Sequence, residues 1–106
     1  MDDNQIIVPP SFVALFVQPG RIKPTQPREY IAARHDFCED LAQALIEHAQ
    51  AVHFDSGVDE AEVLRRVQRG LVAPEGVVDE AESRWVTRRL AELLGWPDPF
   101  ADRACQ

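Results

Sequence analysis

Three observations predict an all-α fold. Apolar side chains recur at three- and four-residue steps over 27–53, 60–69 and 80–94, the spacing that gathers them on one side of a helix. Two of these stretches open on the same signal, Val58-Asp59-Glu60-Ala61-Glu62 and Val78-Asp79-Glu80-Ala81-Glu82, twenty residues apart. In each, the Asp can accept a backbone N–H as N-cap and the Glu three residues on can reach back to the cap's own N–H. This is a capping box with Asp in place of Ser or Thr, behind a valine positioned as a hydrophobic staple. Glycines and prolines, finally, fall where helices should stop: Gly57, Gly70, Gly95 and Pro97. The predicted architecture is a small helical bundle of one long helix plus an antiparallel helix pair, with a hydrophobic N-terminal segment packed across it. As a single domain, 1–106 divides into an N-terminal arm and Pro-rich linker (1–26), a helical core (27–95) and a tail (96–106).

In the arm, Ile6-Ile7-Val8 is stopped by Pro9-Pro10. The next stretch, Ser11 to Val17, reads two ways. Its β-branched and aromatic residues suit a strand, whereas Pro10 at a first helical position with Phe12, Leu15 and Phe16 at i, i+3, i+4 suits a short helix, the preferred reading. Gln18 to Gln26, punctuated by Pro19, Gly20 and Pro24, predicts an extended, stiff connection rather than a turn. Pro27 then fits the first turn of the long helix, because its missing N–H costs nothing there.

That helix, predicted over Pro27 to His53, carries Tyr30, Phe37, Cys38, Leu41, Leu45, Ile46, Ala49 and Val52 as its apolar stripe and Asp36, Glu39, Asp40, Gln43 and Glu47 on its wet side. At about 1.5 Å per residue it would be roughly 38 Å long, more than a compact domain of this size needs, so part of the stripe is expected to meet a partner chain. The second helix runs from Glu60 to Arg69 with Val63, Leu64 and Val67 inward, and Gly70 as its left-handed stop. The third runs from Glu80 to Leu94 with Ala81, Trp85, Val86, Leu90, Leu93 and Leu94 apolar, and Gly95 ends it. The twenty-residue spacing is read as two helices started by the same cap chemistry, since the copies diverge after five residues and two are too few for a solenoid.

Length and charge narrow the function classes. With 106 residues there is room for one core but not for an elaborate cleft besides. A formal charge of −7 repels phosphate backbones and anionic membrane surfaces, so nucleic-acid binding is disfavoured. The start Met1-Asp2-Asp3-Asn4 lacks a basic n-region, and the apolar run Phe12 to Val17 is far short of the ~20 residues that cross a bilayer. A cytoplasmic protein without membrane contact is expected. Two cysteines make no disulfide framework, and Cys38 is expected to be a small buried hydrophobe.

No catalytic, metal or cofactor motif emerges. His35, His48 and His53 lack zinc-ligand spacing, since Glu47 and His48 are adjacent and point in different directions. Asp36 and Asp40 sit on a solvated face, the serines lack a strand-turn-helix context, and the scattered glycines form no phosphate-cradling loop. Arg65, Arg66, Arg69, Arg84, Arg88 and Arg89 concentrate positive charge on the last two helices. Arg65, Arg69, Arg84 and Arg88 are the candidate anion patch, set against a local explanation: Glu62–Arg66, Glu80–Arg84 and Arg88–Glu92 are all i, i+4 pairs.

Three segments, Val8-Pro9-Pro10-Ser11-Phe12-Val13-Ala14-Leu15-Phe16, Cys38-Glu39-Asp40-Leu41-Ala42 and Arg89-Leu90-Ala91-Glu92-Leu93-Leu94-Gly95-Trp96-Pro97, resemble a family of small uncharacterised proteobacterial helical proteins. Some members carry an automatic label of ATPase with chaperone activity. The resemblance implies at most association with a chaperone system. It supplies no catalytic residues, and this chain has no Gly-rich loop followed by Lys-Ser or Lys-Thr, its only lysine, Lys23, sitting among prolines. The expectation is a non-enzymatic protein-interaction or adaptor module, which the resemblance would associate with a chaperone system, with a protein partner that can be a second copy in a homodimer. Phe12, Leu15, Phe16, Trp96 and Phe100 are its candidate apolar anchors. The alternative from another class is a nucleic-acid-associated regulator using the Arg-rich helix pair.

Overall fold

A computed structural model of the chain describes residues 8–73 and 76–98. Their order is α1 (Pro10–Val13), running into a 3₁₀ turn (Ala14–Phe16), then α2 (Arg28–Ala44), α3 (Ile46–Ser56), α4 (Glu60–Leu71) and α5 (Glu80–Leu94), with no strand among the described residues. The fold is an all-α bundle. Phe100, expected as an anchor, lies outside the described residues.

The helical reading of the ambiguous arm holds. Pro9 caps α1 with its carbonyl, which accepts from the N–H groups of Phe12 (2.9 Å) and Val13 (3.1 Å), and Pro10 occupies the first turn. The short helix delivers Phe12 into the core with no exposed surface, edge-on to Trp85 with ring centroids 5.0 Å apart. Edge-to-face aromatic pairs add about 0.5–1.5 kcal/mol beyond the area they bury. Trp85 also donates from Nε1 to Ser11 Oγ at 3.0 Å, tying the arm to α5.

The connection from 17 to 27 is not the stiff strut expected. Arg21 N–H donates to Gln18 O (3.0 Å) across Pro19-Gly20, with Gly20 at φ +81, and Thr25 N–H then donates back to Phe16 O (2.6 Å). Proline at the second and a left-handed glycine at the third position of a turn are the type II combination. The local chemistry of that dipeptide prevails over the straightening influence of Pro24.

The single long helix is also corrected: it divides at Leu45. There the Leu45 N–H is shared between Leu41 O (3.1 Å) and Ala42 O (3.2 Å), and α3 begins at the next residue. α2 packs chiefly against α5 while α3 packs chiefly against α4. The lower half of the stripe is therefore covered by the chain itself, and its length does not require a partner. The inward face keeps Cys38, Leu41, Leu45, Ile46, Ala49 and Val52 of the predicted stripe, but it takes in Ile31 and Ala42 and leaves Tyr30 and Phe37 exposed. α3 ends as expected at Gly57, left-handed at φ +75.

α4 begins at the Asp59 cap, which accepts from Glu62 N–H at 2.8 Å, but the box stays half-made because the Glu62 carboxylate turns to Arg65, Arg66 and Arg69. Gly70 does not stop the helix. Its φ is not positive, and α4 continues to Leu71, which is almost wholly buried, so packing of that leucine outweighs the glycine's weak helix preference.

α5 is the central element, in contact with α1, α2, α3 and α4. Its box is complete: Asp79 accepts from Glu82 N–H at 2.8 Å and Glu82 accepts from Asp79 N–H at 3.2 Å. The helix closes in a Schellman arrangement, Gly95 at φ +74 with Trp96 N–H on Ala91 O (2.9 Å) and Gly95 N–H on Glu92 O (3.2 Å). Ala81, expected inward, is exposed, and the polar Glu82, Ser83 and Thr87 are buried instead. Their groups are satisfied at short range. Ser83 Oγ donates to Glu80 O and accepts from Gln68 Nε2 of α4, and Thr87 Oγ1 donates to Ser83 O.

Candidate functional site

The arginines of α4 and α5 are held by the chain's own carboxylates. Arg65, Arg66 and Arg69 converge on Glu62 at 3.2, 3.0 and 3.5 Å, and Arg84 meets Glu80 at 2.9 Å. Arg88 departs from the expected i, i+4 pairing with Glu92 and bonds Asp98 at 2.8 Å. Glu92 is taken by Arg89, which also clasps both oxygens of Glu39 on α2 (2.8 and 3.1 Å). Those hydrogen bonds from Arg89 are the main reason the Glu39 carboxyl is held below its usual range. The four arginines of the anticipated anion patch thus close on three separate carboxylates.

A cleft of about 450 Å³ opens between the start of α1, α2 and α5, lined by Ser11, His35, Glu39, Trp85, Arg88 and Arg89 among others. His35 is its most unusual member. Its ring lies edge-on to Phe12 and to Trp85, with centroids 5.4 Å from each, and its Nδ1 is buried without a hydrogen-bond partner. A general base is normally oriented by a third group. The near carboxylate, Glu39, is one turn along α2 and accepts from Arg89 through both oxygens, and among the described residues no group hydrogen-bonds His35 Nδ1. Among the described residues no group of three or more His, Cys, Asp or Glu is arranged to hold a metal ion.

Cys38 is fully buried on α2. Burial pushes its thiol up to about 12, with the Glu82 charge adding to the rise, so the thiolate that would act as nucleophile is suppressed.

The anchors proposed from sequence are distributed unevenly. Phe12 is covered by its own chain, while Leu15, Phe16 and Trp96 are half-buried against the core. Trp96 lies edge-on to His53, centroids 5.1 Å apart.

A cluster of partly exposed apolar side chains lies elsewhere, around Arg34 of α2. Tyr30 and Phe37 lie two turns apart on the same side of the helix, each one turn from Arg34, and remain 47% and 39% exposed, beside Val77 at 55%. Arg34 bridges two of them: its guanidinium carbon sits 5.0 Å from the Phe37 ring centre, and Nη2 donates to Val77 O at 3.3 Å. The same guanidinium forks onto Glu82, with Nε and Nη2 both 2.8 Å from its carboxylate oxygens. Burial works to raise the Glu82 carboxyl, but the hydrogen bonds from Arg34 and from the Asp79 backbone hold it below its usual range. The Arg34 guanidinium is in turn raised, chiefly by its bond to Glu82. Phe16 completes the border, edge-on to Tyr30 with centroids 6.1 Å apart.

Sequence reading did not find this cluster. Arg34 and Glu82 are 48 residues apart, and periodicity alone places Tyr30 and Phe37 inward. In comparisons with protein-family models, curated proteins and solved structures, nothing matches this chain.

Proposed function

We propose that the chain is a non-enzymatic protein-interaction module, acting in the cytoplasm, whose contact surface is centred on Arg34. One observation carries this reading: Tyr30, Phe37 and Val77 stand exposed together around a guanidinium that Glu82 holds in place. Aromatic residues beside an arginine are the residue types that dominate protein interfaces. Pre-set positions lower the ordering cost of association.

The magnitudes suit a moderate binder. Fully burying an apolar side chain gains about 1.5–3 kcal/mol, so three that are already half-covered supply about 3 kcal/mol, and the rim must contribute the remainder. The partner can be another protein or a second copy in a homodimer. Association with a chaperone system rests on the sequence resemblance alone. The nucleic-acid alternative has less behind it, because the candidate arginines already face carboxylates and the chain carries a formal charge of −7.

A photo-crosslinking amino acid at Phe37, compared with the same group at Arg65, tests the proposal in the native cell. Discrete protein adducts, to itself or another chain, are expected from position 37 and not from 65. Equal adduct patterns at both positions would remove the surface around Arg34 from consideration.

A further inference from the structure

Building on the interaction-module reading, we infer that the exposed face of α2 receives a basic amphipathic helix from another protein rather than a second copy of this chain. The face has two parallel rows. Tyr30 and Phe37, seven residues apart, are about 10 Å apart along the axis, two helical turns, which matches the i, i+7 anchor spacing of a helix laid into a shallow groove. Beside them run Glu29, Asp36 and Asp40, all exposed.

These three carboxylates differ from those of α4 and α5, where among the described residues only Glu60 likewise lacks an ion pair. Glu39, Glu62, Glu80, Glu82, Glu92 and Asp98 each have an arginine, whereas no ion pair reaches Glu29, Asp36 or Asp40 among the described residues. An apolar row bordered on one side by uncompensated negative charge complements a helix with Leu- or Phe-type anchors and Lys or Arg along one edge. A second copy fits poorly. Symmetric pairing through the same face brings each acidic row near its duplicate on a molecule that also carries a formal charge of −7, and like-charge juxtaposition is costly.

Two synthetic amphipathic helices of equal length and equal leucine content, one with Lys and Arg on its polar face and one with Glu, distinguish the possibilities. Each is titrated into the full-length, isotope-labelled chain at low and at physiological salt, while sedimentation equilibrium reports the chain's own association. The basic peptide is expected to shift the amide signals of Tyr30, Phe37 and Val77 saturably, more weakly as salt rises, and the acidic peptide to leave them unmoved. Phe37→Ser or Tyr30→Ser should weaken the basic peptide about tenfold, the loss of one interface anchor. Asp36→Asn with Asp40→Asn should weaken it several-fold and flatten its salt dependence. An unchanged far-UV circular dichroism spectrum confirms that each variant is folded.

If the acidic peptide binds the same face as tightly, or the chain dimerises at tens of micromolar with these amides protected, the basic-helix inference falls while the interaction module stands. If neither peptide nor a second copy touches the face, both fall.

Discussion

Breaking the Arg34–Glu82 pair should cost several times more than breaking an exposed ion pair among the described residues. The Glu82 side chain is only 6% exposed and accepts two bonds from Arg34, itself 26% exposed, as well as the capping bond from Asp79 N–H. Arg34→Met leaves a buried carboxylate without its cation, the situation that typically costs about 3–5 kcal/mol. Glu82→Ala should cost somewhat less, about 2–3 kcal/mol, because a quarter-exposed guanidinium can turn toward water, although half of the capping box is lost with it. With both changed, no charge is stranded, and the double variant should be little worse than either single one. The coupling energy from the cycle is then about 2–3 kcal/mol, against about 0.2–1 kcal/mol for exposed pairs such as Glu80–Arg84. Urea unfolding followed by far-UV circular dichroism, with unchanged slopes, measures it. The sign with pH is fixed by the direction of the shift. A carboxyl depressed in the folded state contributes its stability in full above its unfolded value near 4.3 and loses it as pH falls through the lower folded value. The coupling should therefore persist at pH 7 and fade in strong acid. A coupling below about 0.5 kcal/mol at pH 7 would place this pair with ordinary surface pairs and refute the reasoning.

Other consequences can be checked by similar means. Phe12→Ala removes a fully buried ring that contacts Trp85, His35 and Phe16, and should cost about 3–5 kcal/mol in urea unfolding, with altered tryptophan emission. Asp79→Ala should destabilise more than Asp59→Ala, since only the former opens a complete box; each loss is on the order of 1 kcal/mol, and thermal melts of the two variants compare them directly. Iodoacetamide at pH 7.5 should leave Cys38 unmodified in the folded chain and label it in urea, read by peptide mass spectrometry. Rapid native labelling would contradict both its burial and its raised thiol.

The parts legible in sequence are those governed by residues near one another along the chain. The two aspartate caps, the Gly57 and Gly95 stops, the helical run of α5 and the Glu62–Arg66 and Glu80–Arg84 pairs all depend on contacts within four residues, and each is present. The Pro19-Gly20 turn was equally local, and a type II signature was there to be seen. Gly70 departs from the expected stop for a different reason: whether a helix continues past a glycine depends on what lies ahead to be buried, here Leu71 against the rest of the bundle.

By itself the sequence determined that this chain would be helical, where most helices would start, and that its charge would be acidic, because periodicity, capping and composition are properties of short windows. Only the tertiary structure decided that the long apolar stripe would divide at Leu45, that Ile31 would turn inward while Tyr30 stayed in water, and that Arg34 would find Glu82 across 48 residues. A stripe at helical spacing is wide enough for several inward rotations of nearly equal hydrophobic gain. The choice among them falls to the shape of the neighbouring helices and to the cost of leaving one buried carboxylate without its cation.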